Sequence, residues 1–492
     1  MNICCSTHRP AAPAAPAASA APAVAVRLLP QDTMVATPED VLLPAEQLGE
    51  KLQGSRLRTR DSFALAQADA QGNYRPEVGT PQFDQVNAHG VVAGTLLTYE
   101  RYTGKSIPWS FPGRMEVRPH AGEGKTAYYS RWDQSVNFCQ WDSPSLGKTV
   151  KTAESFDVAS HEAGHAILDG LRPGLLSGRE SKAFHEAFGD CSALMHALQY
   201  DSNLERILAE NGGDFSKPSL ITRLAEEFGS AYNKEDDNPN NDDRPYYRSA
   251  LNDFKYQPID SLPSDSYPPT QPEEVLTSEP HSFSRIWSGA FYQMLRSIYQ
   301  QEAGKEASLE ALKTAREALS TMWGRSLDLL PSRNLKFPQV AEAMLKEARA
   351  YEGGRYAEAI SGVLADRQLL ASSPTRPMVT PGPWKSETVQ VGSQGRQVFT
   401  FEAPQQVEVD LGSAGRAQMQ LASGLTVVVD ENGDCLDVVY SPLTQGDLAD
   451  AQKEARLAAE QARPGARLLP APAGQNELPQ FEWIPRWECF GH

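Results

Sequence analysis

His161, Glu162 and His165 stand in the order H-E-x-x-H, as His-Glu-Ala-Gly-His. On a helix, residues four apart share a face, so both imidazoles can reach one ion. Imidazole nitrogen suits zinc, and two histidines at this spacing are half of a zinc site. Glu162 then falls beside the ion, where a carboxylate can deprotonate a water whose pKa the metal has lowered. A helix that happens to carry two histidines is the bland alternative. A catalytic zinc also needs a third protein ligand and an open fourth position. Glu186 can be that ligand, in the stretch Phe184-His185-Glu186-Ala187-Phe188-Gly189-Asp190. Asp190 lies four residues on, on the same face, and can accept the second N–H of a ligating imidazole. A solvated helix face is the alternative for Glu186; the spacing, order and apolar flanks favour ligation.

The elements that must position these groups are helical. Periodicity predicts helices over 155–171, ended by Pro173-Gly174, and over 181–200. Gly164 costs its helix about 1 kcal/mol, and a small residue there suits close packing against another element. Further helices are expected at 282–299, 308–323 and 337–351. Residues 56–155 read as mixed strands with one helix near 84–102. The chain begins with an Ala/Pro-rich stretch, and residues 1–55 are expected to form a disordered leader with no clear signal peptide. Beyond a helical region over 156–371 comes a Pro-rich linker. Two strand-like runs flanking Asn432-Gly433 then predict a small β module over 384–442. Residues 443–492 read as a charged helix at 447–462 and a tail with Phe481, Trp483, Trp487 and Phe490, which docks back on the body or binds a partner.

The zinc residues resemble those of the thermolysin-like zinc metalloproteases, the neutral proteases of the gluzincin type. In that family H-E-x-x-H is followed about twenty residues on by a Glu in an N-E-A-x-x-D setting. Asp157-Val158-Ala159-Ser160 before His161 resembles the family's approach to its zinc helix. Asn87-Ala88-His89-Gly90 with Tyr99-Glu100 resembles its upstream helix. Arg248-Ser249 ahead of Asp253-Phe254-Lys255-Tyr256, and His281 with Ser288-Gly289, resemble its later segments, over about 80–370 in all. The resemblance implies an α+β fold: two lobes, a mixed β amino-terminal one and an α-helical carboxy-terminal one, with the zinc helix between them. It implies zinc on His161, His165 and Glu186, water activation by Glu162, oxyanion stabilisation by His281 and a substrate carbonyl on Arg248. The reaction implied is endopeptidase hydrolysis of a polypeptide substrate by a monomer. Val158 and Tyr247 are candidate walls of an apolar side-chain pocket.

The chain departs from the family in several places. Ser177 stands where a Tyr donor is usual, and Tyr128-Tyr129 replaces the Asn-Ala that pairs with substrate backbone. His185 replaces the Asn before the zinc-binding Glu, and the loop from His165 to Glu186 is one residue longer. Leu276 occupies the place of the acid that supports the catalytic His, leaving Glu279 or Glu274 to serve. Asp157 keeps the place of a calcium ligand, while the later acidic cluster is mostly absent. The family is mostly secreted. These departures keep two other readings open: a catalytically weak zinc-binding protein, and a zinc aminopeptidase. Zinc content with peptide hydrolysis separates the first, and blocked against free peptide ends the second.

Composition bounds the rest. The 492 residues carry 46 Lys and Arg against 63 Asp and Glu, a net charge of -17. That argues against nucleic acid or an anionic membrane as partner. No apolar run is long enough to span a bilayer. The six cysteines show no C-x-x-C pair, so a cysteine-built metal site is not expected. The acidic, Asn-rich run at 233–244 is a solvated loop or a calcium site.

Overall fold

In chain order, short strands and one long helix come first and a run of helices follows. The computed structural model describes residues 22–370, apart from 177, 236–242, 267–269, 305 and 334, together with the strands between 384 and 438 and residues 487–488. A strand pair opens the described chain: β1 (Ala23–Leu28) runs antiparallel to β2 (Glu39–Pro44), followed by the short helix α1 (Ala45–Leu48). The central sheet is built from β3 (Leu57–Thr59), β4 (Met115–Glu123), β5 (Ala127–Ser130), β6 (Ser135–Ser143) and β7 (Lys148–Lys151). Its order is β5-β6-β4-β3, with β7 also on β6. The β3–β4 and β4–β6 pairs are parallel, the others antiparallel. Between β3 and β4 the chain forms α2 (Pro81–Thr103), which Thr80 caps and Pro81 starts.

Helices fill the second part: α3 (Phe156–Leu171), α4 (Arg179–Ala197), α5 (Asp201–Asn211) and α6 (Glu226–Tyr232). A two-residue ladder of β8 (Arg223–Leu224) and β9 (Arg248–Ser249) brackets α6. Then come α7 (Pro280–Ala303), α8 (Leu309–Ser326), α9 (Phe337–Ala350) and α10 (Ala357–Asp366). Of the expected helices, those between 84 and 351 are present, with α1, α5, α6 and α10 in addition. Three start earlier than periodicity indicates: α2 because Thr80 caps it and Pro81 opens it, α7 because Glu279 caps it and Pro280 sits in its first turn, α4 because the chain leaves the turn at Gly178. The fold is mixed α+β. α3 lies at its centre, packed on α2, α4 and β5. No helix among the described residues is long and apolar enough to cross a membrane.

Farther on, β10 (Trp384–Val391), β11 (Gln394–Phe401), β14 (Thr426–Val429) and β15 (Cys435–Val438) form an antiparallel sheet, and β12 (Gln405–Asp410) pairs with β13 (Arg416–Leu421). Val427 stands opposite Val438, so strands pair on either side of Asn432-Gly433. The turn itself and the helix expected at 447–462 lie outside the described residues. The last strand, β16 (Trp487–Glu488), pairs with β5.

The leader expected over 1–55 needs correcting from residue 23 onward. Val26 and Leu28 are fully buried, and a Cβ at Gly90 of α2 would lie 3.2 and 3.1 Å from their side chains. The alternation Ala-Val-Ala-Val-Arg-Leu over 23–28 is a strand signal that the Ala/Pro composition just before it masks. Leu28→Ala is therefore expected to cost about 2–5 kcal/mol in denaturant unfolding. A cost below about 0.5 kcal/mol, the range of an exposed site, would contradict the packing.

Candidate metal centre

α3 presents His161 and His165 on one face because they are one turn apart, and α4 crosses that face with Glu186. Ser155 caps α3 by accepting the Val158 N–H at 3.4 Å, which fixes the start of the helix and so the phase of both histidines. The imidazole rings stand edge to face, with centroids 4.7 Å apart. Glu186 Oε2 lies 3.3 Å from His161 Nε2, and Glu186 Oε1 lies 3.6 Å from His165 Nε2. One donor atom from each of the three lies within 4.8 Å of the others, and all three residues are buried. The extra residue in the loop before α4 has thus not displaced Glu186. Two nitrogens and one carboxylate around a common point fit a metal ion; three protein ligands leave a position for water.

Neighbouring side chains orient these donors. Asp190, one turn beyond Glu186, lies 3.0 Å from His161 Nδ1 and turns Nε2 towards the centre. Arg248 Nη2 donates to the same Asp190 oxygen at 2.7 Å, and Ser288 Oγ donates to the other at 3.1 Å. The second histidine has an imidazole partner: His165 Nδ1 and His185 Nδ1 are 3.4 Å apart with the rings stacked. Burial pushes the His185 pKa down to about 4, so a neutral ring is there to accept the His165 N–H. His185 thus fills the Asn position with a side chain that can still accept.

His281 enters from the first turn of α7. Its Nε2 is 3.2 Å from Glu186 Oε2, and its Nδ1 is 2.6 Å from Glu279 Oε1. Glu279 also caps α7, accepting the Ser282 N–H at 3.0 Å. Of the two acids that sequence left open, Glu279 is the one at His281. Burial opposes the His281 charge, but Glu186 and Glu279 outweigh it and raise its pKa. Burial alone would raise the Glu186 pKa; the surrounding imidazoles, His281 and His165 foremost, hold it well below the usual range. Burial likewise opposes the Asp190 charge, and Arg248 leads in lowering its pKa.

A cavity opens beside this group, with Arg248, His281, Tyr247, Arg285, Glu279 and Val275 in its wall. Tyr247 lines it. Val158 is fully buried and is not among its lining residues. Ser177 lies outside the described residues. So do residues 236–242 of the acidic run; Glu235 of that run is tied to Ser143 at 2.6 Å and to Lys125 at 2.6 Å.

Sequence reasoning passed over two groups. Asp169 follows His165 by one turn of α3 and accepts from Tyr129 Oη at 2.7 Å and Arg131 Nε at 2.8 Å, tying the metal helix to β5. The four-residue step from His165 was the available signal. Asp32 is buried near Asp157 and Glu226; its Oδ1 accepts the Glu227 N–H at 3.1 Å and its Oδ2 the Ser155 hydroxyl at 2.9 Å. Asp157 Oδ2 accepts the Ala225 N–H at 3.0 Å. Burial, and then Glu227, push the Asp32 pKa up to about 6; burial raises Asp157 and Glu226 well above the usual carboxylate range. Asp32 lies far from the motif in sequence and left no spacing to read.

No family model matches the chain, and no curated protein matches it. Among solved structures it is similar to the precursor of protealysin, a metalloproteinase from Serratia proteamaculans, at 13% identity and a TM-score of 0.40, over 64% of this chain and 88% of that one.

Burial opposes the His161 charge as well, but Asp190 and Glu186 outweigh it and raise its pKa from 6.5 to about 9. In metal-free protein this proton stabilises the fold fully below about pH 6.5, and the contribution is lost as pH rises through about 9. A metal takes the neutral imidazole, so zinc loading at about pH 7.5 should release a proton. Calorimetric titration in buffers of different ionisation enthalpy measures this. A heat of binding independent of buffer would contradict the charged His161.

Proposed function

We propose that the chain is a zinc-dependent endopeptidase that hydrolyses polypeptides with the two-lobed architecture of the thermolysin-like proteases. The carrying observation is the convergence of His161, His165 and Glu186 on one buried point, with Glu162 next to His161 on the same helix. Two imidazole nitrogens and a carboxylate are the donor set of a catalytic zinc. Zinc held there supplies Lewis acidity, bringing the pKa of water towards neutrality and polarising a carbonyl oxygen. Glu162 takes the proton of the attacking water and passes it to the leaving amine. His281, kept protonated and aimed by Glu279, donates to the oxygen of the tetrahedral intermediate. Arg248, anchored on Asp190 at the cavity wall, holds a substrate carbonyl. Asp190 and His185 keep the two ligand imidazoles in the productive tautomer.

Glu162→Gln keeps the size of the side chain and removes the base. It should bind zinc as the parent protein does while hydrolysis of an end-blocked peptide falls by about 10²–10⁴-fold. Unchanged turnover would refute the role of Glu162. Absence of hydrolysis in the zinc-loaded parent protein would favour a zinc-binding protein, and cleavage restricted to free amino ends an aminopeptidase.

A further inference from the structure

The outer edge of β5 is occupied by the chain's own end. β16 pairs with it antiparallel, Trp487 opposite Tyr129 and Glu488 opposite Tyr128. This edge runs beside the metal helix. Tyr129 in β5 and Arg131 just after it both bond Asp169, one turn beyond His165 on α3. A strand edge offers N–H and C=O groups to any extended chain, and peptides are commonly bound by adding a strand. Natural edges are usually guarded by charge or proline, yet β5 reads Ala-Tyr-Tyr-Ser and carries neither. Without β16 it would be an open acceptor strand against the helix that carries His161 and His165.

We propose that residues 487–488 are an internal occupant of this acceptor edge, and that extended polypeptides must displace them to reach the metal centre. The competition with substrate rests on the endopeptidase reading; the occupancy itself does not. β16 spans two residues and β5 four, so a polypeptide pairing along all of β5 makes more backbone bonds than the tail does. The tail compensates by being tethered, which keeps its effective concentration high. Both occupants use the same backbone groups, so binding of one excludes the other.

The test uses the full-length chain with Trp487→Pro and, separately, Glu488→Pro. Proline removes one N–H and restricts φ, which disrupts a ladder. Using both positions ensures that either residue's N–H is tested. Hydrogen exchange at 127–130 should speed up at least about tenfold in one or both variants, with the rest of the sheet and the thermal midpoint unchanged. A synthetic peptide of residues 481–492 should restore protection when added to the variant, and a scrambled peptide should not. In hydrolysis of a quenched peptide by zinc-loaded protein, KM should fall several-fold with kcat unchanged. Exchange at 127–130 that is identical in the parent protein and both folded variants would overturn the occupancy. Faster exchange with unchanged KM would overturn the competition. If no form of the protein hydrolyses peptide, the endopeptidase reading falls alone, and exchange with peptide rescue still decides the occupancy.

Discussion

The approach of α3 to α4 is set by two glycines, and the geometry of the metal centre follows from it. A Cβ at Gly164 would stand 2.6 Å from Ser192 Oγ, and one at Gly189 would stand 2.6 Å from the ring of His161. Neither separation is tolerated by real side chains, so any larger residue would push the helices apart. Their contact lets a carboxylate of modest length, Glu186, touch both imidazoles, and it puts Asp190 within reach of His161's other nitrogen. Each glycine costs helix propensity of about 1 kcal/mol. That loss is accepted where backbone proximity decides whether three donors meet.

Such proximity gathers buried charge. Buried charges persist when each has a partner of opposite sign and its hydrogen bonds are made. Asp190 meets that condition with His161, Arg248 and Ser288, which come from three different elements: α3, β9 and α7. Glu186 meets it with His161, His165 and His281. The same network ties the geometry of the site to folding, because α7 contributes His281 in its first turn and Ser288 two turns later. The carboxylates of Asp32, Asp157 and Glu226 are the contrasting case. No cationic side chain is bonded to them among the described contacts, and burial raises all three pKa values.

Local spacing made much of this legible. His161, His165, Glu186 and Asp190 were readable because helical periodicity converts intervals of four into a shared face. The helix from 156 to 171 was readable because its cap and its Pro-Gly stop are both local. Glu279 was narrowed to one of two acids, since a loop hides the distance that decides between them. Asp32 acts on the site through contacts that sequence separation conceals, whereas Asp169 stands four residues from His165 and only its partners Tyr129 and Arg131 are distant in sequence. The strand at 23–28 was missed for a different reason: composition in the preceding run outweighed a short alternation. The pairing of 487–488 with β5 joins segments more than three hundred residues apart, a kind of contact that no periodicity announces.

X-ray absorption at the zinc edge of the loaded full-length protein tests the central claim most directly. The account predicts two imidazole nitrogens at about 2.0–2.1 Å, one carboxylate and one exchangeable light oxygen, with His281 outside the shell. A closed shell in which His281 supplies a fourth protein ligand would contradict it, as would failure to retain zinc after dialysis.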